Sequence, residues 1–345
     1  MEFSRNAISR AGEILITSSS EDDIYEALEM INQWRSHHLH PLRVMKNRLI
    51  KLCERSQITP YLVSQRLKRL SSIEYKLDLN ADMRLGGMQD IGGYRAVLKD
   101  VKDLLSLKSI IETAKQKHKL EKINDYVSNP KESGYRSIHF VYKYSSRVER
   151  YDGLRIELQI RTKLQHGWAT AVETAGLITN TSLKSSMGPD EWLDFFKIVS
   201  SLFAIKEGLP KLEIHKDRSM ESLMVECHNK CKELNIIDTL KALGVTTKHL
   251  ERQNFPGDYY LIFIDVEKQS VLITVFKEKS IEAATAKYLE IEKEIKDTSK
   301  AVVLVSANSM KLLRKAYPSY FLDTSEFIAS IEKINANCIS RGYLT

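Results

Sequence analysis

One stretch of the chain combines strand alternation with chemically capable side chains, Leu154-Arg155-Ile156-Glu157-Leu158-Gln159-Ile160-Arg161. Period-two alternation sends Leu154, Ile156, Leu158 and Ile160 to one face and Arg155, Glu157, Gln159 and Arg161 to the other. Such a polar row is either a solvated sheet face or the floor of a phosphate-binding site. Asp90 precedes Ile91-Gly92-Gly93-Tyr94-Arg95 at a strand start, where two glycines permit close backbone approach or a bulge. A carboxylate there is either an ordinary turn residue or a Mg²⁺ ligand, with substrate phosphates completing the coordination. The loop from Asn129 to His139 gathers Lys131, Tyr135, Arg136 and His139 around Gly134. Tyr135 can stack on a nucleobase while the three basic residues face phosphate or ribose oxygens. Arg66, Lys68 and Lys76 belong to a dense basic segment, yet on helical spacing they do not share one face. The glycine-rich Walker loop is absent, so a nucleotide site must be built from side chains.

The elements around these residues are legible in outline. Ser20 or Glu21 precedes an apolar set at Ile24, Leu28, Ile31 and Trp34, and Pro41 restarts a second run through Leu42, Met45, Leu49 and Leu52, so residues 21–56 are predicted helical. Between 91 and 161 short strands (94–98, 139–144, 154–161) alternate with helix, including one expected over 101–118. Residues 163–252 return to helical periodicity. A second β-rich unit is expected from about residue 255: a hairpin of 259–266 and 270–276, a helix over 280–296, a strand over 301–306 and helix from 309. The predicted organisation is an α+β catalytic unit over 1–210, a helical linker over 211–254, and a small α+β unit over 255–345.

Composition sets the outer bounds. A chain of 345 residues with 43% hydrophobic content is long enough for two cores. The longest apolar stretches are strand-sized, so no membrane span is expected, and the N-terminus lacks a signal-peptide layout. A cytoplasmic location is expected. Four scattered cysteines do not make a disulfide framework, and Cys227 and Cys231, one turn apart, read as buried thiols. The His37-His38-Leu39-His40 cluster has no acidic or cysteine companion and reads as local packing. A net charge of +7 favours anionic partners such as nucleotides or nucleic acid.

Four motifs occur in order: Arg66-x-Lys68-x-x-x-Ser72-Ile73-x-x-Lys76, Asp90-Ile91-x-Gly93-x-Arg95, Pro130-Lys131-x-x-Gly134-Tyr135-Arg136-Ser137-Ile138-His139, and Glu157-x-Gln159-Ile160-Arg161-Thr162 followed by His166-x-Trp168-Ala169. Together they resemble the synthetase domain of RelA/SpoT proteins over roughly residues 40–210. The resemblance implies a nucleotidyltransferase-like mixed sheet flanked by helices, and transfer of the β,γ-pyrophosphate of ATP to a ribose hydroxyl. It implies that Asp90 and Glu157 hold Mg²⁺, with Glu157 also drawing the proton from the attacking hydroxyl. Arg66 and Arg95 would sandwich adenine, and Lys68, Ser72 and Lys76 would contact phosphates. Lys131, Tyr135, Arg136, His139, Gln159 and Arg161 would bind the acceptor.

The domain order is further similar to the CapRel-type fused toxin–antitoxin group, whose C-terminal unit carries a Tyr-x-x-Tyr element matched here by Tyr317-Pro318-Ser319-Tyr320. That resemblance implies autoinhibition through Tyr317 and Tyr320, the 3′-terminal adenosine of tRNA as acceptor, and a phage protein as trigger in antiviral defence. A (p)ppGpp synthetase using GDP or GTP, and a non-catalytic nucleotide- or RNA-binding module, are the competing expectations.

Overall fold

The computed structural model describes residues 4–178, 183, 188–245, 257–265, 268, 270–295, 300–306 and 324–343. Three helices open the chain: α1 (Arg5–Thr17), α2 (Glu21–His37) and α3 (Leu39–Arg55). Ser20 caps α2 by accepting from the Asp23 amide, and three acidic residues in its first turn complement the helix dipole. Strand β1 (Leu62–Leu67) and helix α4 (Leu70–Leu79) follow, then β2 (Gly92–Leu98), α5 (Val101–Thr113), β3 (Lys119–Asp125), β4 (Ile138–Lys143) and β5 (Arg155–Thr162). Helices α6 (Lys163–Ile178), α7 (Asp190–Glu207), α8 (Met220–Glu233) and α9 (Ile236–Val245) come next. The chain continues with β6 (Tyr259–Asp265), β7 (Ser270–Phe276), α10 (Ile281–Glu294), β8 (Lys300–Ser306) and α11 (Ser325–Ser340).

The strands form one mixed sheet in the order β3-β4-β5-β2-β1-β8-β6-β7. Among the described strands β2 and β5 run parallel and the other pairs are antiparallel. The fold is therefore α+β, with an eight-stranded sheet flanked by helices. The strands of the C-terminal third join the first unit edge-on, through Gln65 opposite Ser306 and Arg66 opposite Val305. Helix α11 packs with α6–α9, where Phe327 lies against Phe195, Phe196 and Phe203. Helices α8 and α9 bury Leu223, Cys227, Ile236 and Leu240 in that same cluster.

Two elements differ from the sequence reading. The helix expected to reach His118 ends at Thr113, because the chain turns into β3 to complete the ladder with β4. The basic segment is not a single helix: Arg66 belongs to β1 and Lys76 to α4, which is why helical spacing failed to align them. All four cysteines are free and buried. His38 is buried with its Nδ1 on the Trp34 carbonyl, and His40 stacks on Tyr151. Among the described residues no group of three or more His, Cys, Asp or Glu is arranged to hold a metal ion, and no helix is long and apolar enough to cross a membrane.

Candidate active site on the polar face of the sheet

Strand register brings the chemically capable residues onto one face. One row across the sheet reads Ser64, Arg95, Gln159, His139, and the next reads Arg66, Gly93, Glu157, Val141. The opposite face buries Tyr94, Ala96, Ile156, Leu158, Ile160 and Phe140 in an apolar core. The alternation of β5 thus anchors a core with one set of side chains and presents the site with the other.

The paired glycines serve opposite faces. A Cβ on Gly92 would meet Ile156, Leu42 and His38 at 3.0–3.2 Å, so Gly92 permits close packing on the core side. A Cβ on Gly93 would meet nothing nearer than the Arg66 carbonyl at 4.0 Å. Gly93 therefore leaves a gap in the polar face between Arg66 and Glu157. Arg66 and Arg95 are diagonal neighbours on adjacent strands, a placement that sets their backbone positions roughly 7–8 Å apart on one face.

Asp90 sits just before β2 and accepts from Lys68 Nζ at 2.8 Å and Lys76 Nζ at 3.1 Å. Burial would raise its pKa, but the two ammonium groups win and hold the carboxyl well below the usual range. Ser72 and Lys76 lie four residues apart on α4 and share one flank of the buried stripe formed by Leu70, Ile73 and Leu77. Burial and the charges of Lys76 and Arg66 lower the Lys68 pKa against the pull of Asp90. Arg66, Lys68, Lys76 and Asp90 are thus one electrostatic group.

Glu157 is buried, with His139 Nδ1 at 3.0 Å from one oxygen and Gln159 Nε2 donating to the other at 2.6 Å. Burial and the Asp90 charge raise its pKa, while His139 and Gln159 lower it; the net direction is down. The partner effect lifts His139: burial would push the imidazole down, yet Tyr135 and Glu157 carry it up to about 9. Tyr135 Oη meets His139 Nε2 at 3.0 Å, its ring packs edge-on against Tyr126 and His139, and Lys131 Nζ lies over the Tyr126 and Tyr135 rings. Tyr135 is 5% exposed, so a base that stacks on it must displace part of this packing.

Gly134 makes that loop possible. Its φ of +93° and the 2.9 Å approach a Cβ would make to Ser200 restrict the position to glycine. The structure turns Arg136 away from this group. Its guanidinium is buried and donates to Ser200 Oγ and to the Val127 and Pro210 carbonyls, fastening the loop to the helical layer.

Arg161 ends the polar row of β5, buried at 3% exposure. Its Nε and one Nη have no hydrogen-bond partner among the described residues. Burial and the nearby Arg95 and Arg66 charges press its pKa down to about 10. A buried guanidinium short of acceptors is costly to leave unpaired, and an anion is the chemistry that would satisfy it. Tyr126 and Ser64 also belong to this face and were not found from sequence. Ser64 lies two residues before Arg66 on β1, a strand that no apolar alternation marks, and Tyr126 follows a charged strand that has none either. Tyr317 and Tyr320 lie outside the described residues.

With the geometry in place, the likeness to known proteins has a structural meaning. Residues 65–177 match the region found in RelA / SpoT proteins. A GTP pyrophosphokinase of Photobacterium angustum is 34% identical over 104 residues, covering 30% of this chain and 13% of that protein. GTP pyrophosphokinase YjbM of Bacillus subtilis is 37% identical over 84 residues, covering 24% and 39%. The chain therefore spans well under half the length of these relatives. Among solved structures, a GTP pyrophosphokinase family protein from Streptococcus pneumoniae aligns with a TM-score of 0.43 at 22% identity, covering 55% of this chain and 95% of that one. The small alarmone synthetase 1 of Bacillus subtilis bound to pppGpp gives 0.43 at 24% identity, covering 50% and 89%. The segment that carries the site is thus the one similar to the region found in RelA / SpoT proteins.

Proposed function

We propose that the chain is an ATP-dependent pyrophosphokinase. In the proposed step a ribose 3′-hydroxyl oxygen attacks the β-phosphorus of ATP. The bond between that phosphorus and the α,β-bridging oxygen breaks, AMP leaves, and Glu157 takes the hydroxyl proton. The observation that carries this reading is the single sheet face holding Glu157, Arg66, Arg95 and Arg161, with Asp90 just before β2 and its charge acting on Glu157. Arg66 and Arg95 hold the adenine, Lys68, Ser72 and Lys76 its phosphates, and Arg161 with Lys131 and Gln159 the acceptor's anionic groups.

Asp90 and Glu157 feel each other's charge, and two such carboxylates together with substrate phosphates suit Mg²⁺. They would hold the ion, which when bound offsets the negative charge gathered at the transferred group. Lys68 and Lys76 occupy Asp90 in the resting chain, so binding of ATP gives these lysines a phosphate partner and releases the carboxylate.

Two acceptors suit this chemistry. GDP or GTP is supported by the names of the relatives. The 3′-terminal adenosine of tRNA is supported by the +7 charge and by the order of units, a RelA/SpoT region followed by a β-rich third containing Tyr317 and Tyr320. On the second reading the C-terminal third of a cytoplasmic toxin–antitoxin fusion holds the enzyme shut until a phage protein engages it. The test incubates the full chain, and its Tyr320→Ala form, with γ-labelled ATP and either GDP/GTP or tRNA. Label is expected on one acceptor, with AMP released in equal amount and transfer lowered about 10³-fold in Glu157→Gln. Label on neither acceptor from folded protein overturns the proposal, and the labelled species decides between the two acceptors.

A further inference from the structure

A cluster joins the C-terminal third to the segment read as the ATP site. Arg35 on α2 is fully buried. One of its terminal nitrogens donates to Asn32 Oδ1 at 2.8 Å and to Glu292 Oε2 at 2.7 Å. The other donates to the Lys68 carbonyl and to Tyr288 Oη, both at 2.7 Å. Tyr288 Oη in turn donates to Glu292 Oε1 at 2.8 Å. That same carboxylate oxygen accepts the Leu70 amide at 2.6 Å.

Leu70 opens α4, and α4 lacks a cap of its own, since Arg69 at the N-cap position makes no capping bond. The first amides of a helix need an acceptor and favour a negative charge. Here that acceptor comes from α10, 222 residues away in sequence. The result is a turn clamped at both ends. Arg35 holds the backbone of Lys68, Glu292 holds the start of the helix that carries Ser72 and Lys76, and β8 pairs beside Arg66.

We propose that Glu292 is a positioning residue for ATP, acting through Arg35 and Tyr288 to fix the turn between β1 and α4. The proposal rests on reading residues 66–76 as the ATP-binding segment. It makes the C-terminal third part of what shapes the nucleotide site. The acceptor residues His139, Gln159 and Arg161 lie on strands farther along the sheet, so the effect falls on one substrate.

The experiment measures binding of a non-hydrolysable ATP analogue to the full chain by calorimetry, with thermal melting alongside. Glu292→Ala is expected to weaken binding about tenfold, the scale of one lost helix cap. Glu292→Gln keeps an oxygen for the Leu70 amide and should recover most of that loss. Because Glu292→Ala strips Arg35 of its counter-ion, Glu292→Gln and Tyr288→Phe carry the test if it does not fold, each expected to weaken binding two- to threefold. Lys293→Ala, which removes the neighbouring pair with Glu29, should bind as the wild type does. In turnover, the KM for ATP should rise while the KM for the acceptor holds. Wild-type protein that fails to bind the analogue overturns the ATP reading itself. Wild-type binding with equal affinity in the folded Glu292 and Tyr288 variants, or with equal losses for both substrates in step with melting temperature, overturns this inference alone.

Discussion

At the scale of single residues, the emptiness at Gly93 is as informative as the charges around it. A side chain there would stand in the polar face between Arg66 and Glu157, with only the Arg66 carbonyl at 4.0 Å to resist it. Gly93→Val should therefore fold almost normally, since valine favours a strand, while blocking the space a base or phosphate needs. The expected outcome is loss of ATP-analogue binding by about 100-fold or more, equivalent to roughly 3 kcal/mol, with melting shifted by only a few degrees. Gly92→Ala supplies the contrast, because its Cβ would press on Ile156, Leu42 and His38. There stability should fall first. Loss of stability in Gly93→Val with binding intact would refute the assignment of that gap.

At the scale of elements, the loop from Lys131 to His139 shows how one backbone conformation places several side chains. Gly134 at φ +93° lets the Lys131 carbonyl accept the Gly134 amide at 2.8 Å while Ser200 Oγ donates to the Gly134 carbonyl at 2.7 Å. Replacement by alanine forces a left-handed region on a residue with a Cβ and drives that atom into Ser200. Gly134→Ala should destabilise the chain by about 2 kcal/mol or more, read from urea unfolding. An unchanged midpoint would show that the loop can relax without glycine. The sequence made this loop readable through its motif, and made β5 readable through strict alternation. It hid β1, where Leu62, Ser64, Gln65 and Leu67 are all buried, so no alternation marks the strand. It hid β3 for the opposite reason, since Lys119, Glu121 and Lys122 leave almost nothing apolar. Arg136 illustrates a further limit, because its type and position suggest phosphate binding whereas its partners are visible only once α7 and Pro210 are packed beside it. The Glu292 cap was equally out of reach, being a pairing between distant segments that no local pattern encodes.

At the scale of the whole molecule, stability should depend on pH through a group that takes no part in the chemistry. His38 is 1% exposed at the junction of α2 and α3. Burial lowers its pKa to about 4, with the charges of His37 and Arg35 adding to the effect and the Trp34 carbonyl opposing it. The unfolded chain binds this proton near pH 6.5 and the folded chain resists it until about 4. Between those values the unfolded state holds more protons, so unfolding free energy rises with pH and falls as the solution is acidified. The contribution is fully present above about pH 7 and lost progressively towards pH 4. Integrated from pH 7 to pH 5, it amounts to about 2 kcal/mol. Urea unfolding at these two pH values should show wild type losing about 2 kcal/mol more than His38→Gln, whatever the variant's stability at pH 7. Equal losses in the two proteins would mean that His38 gains access to water or to a proton acceptor before the molecule unfolds, and that the α2–α3 junction opens independently of the sheet it supports.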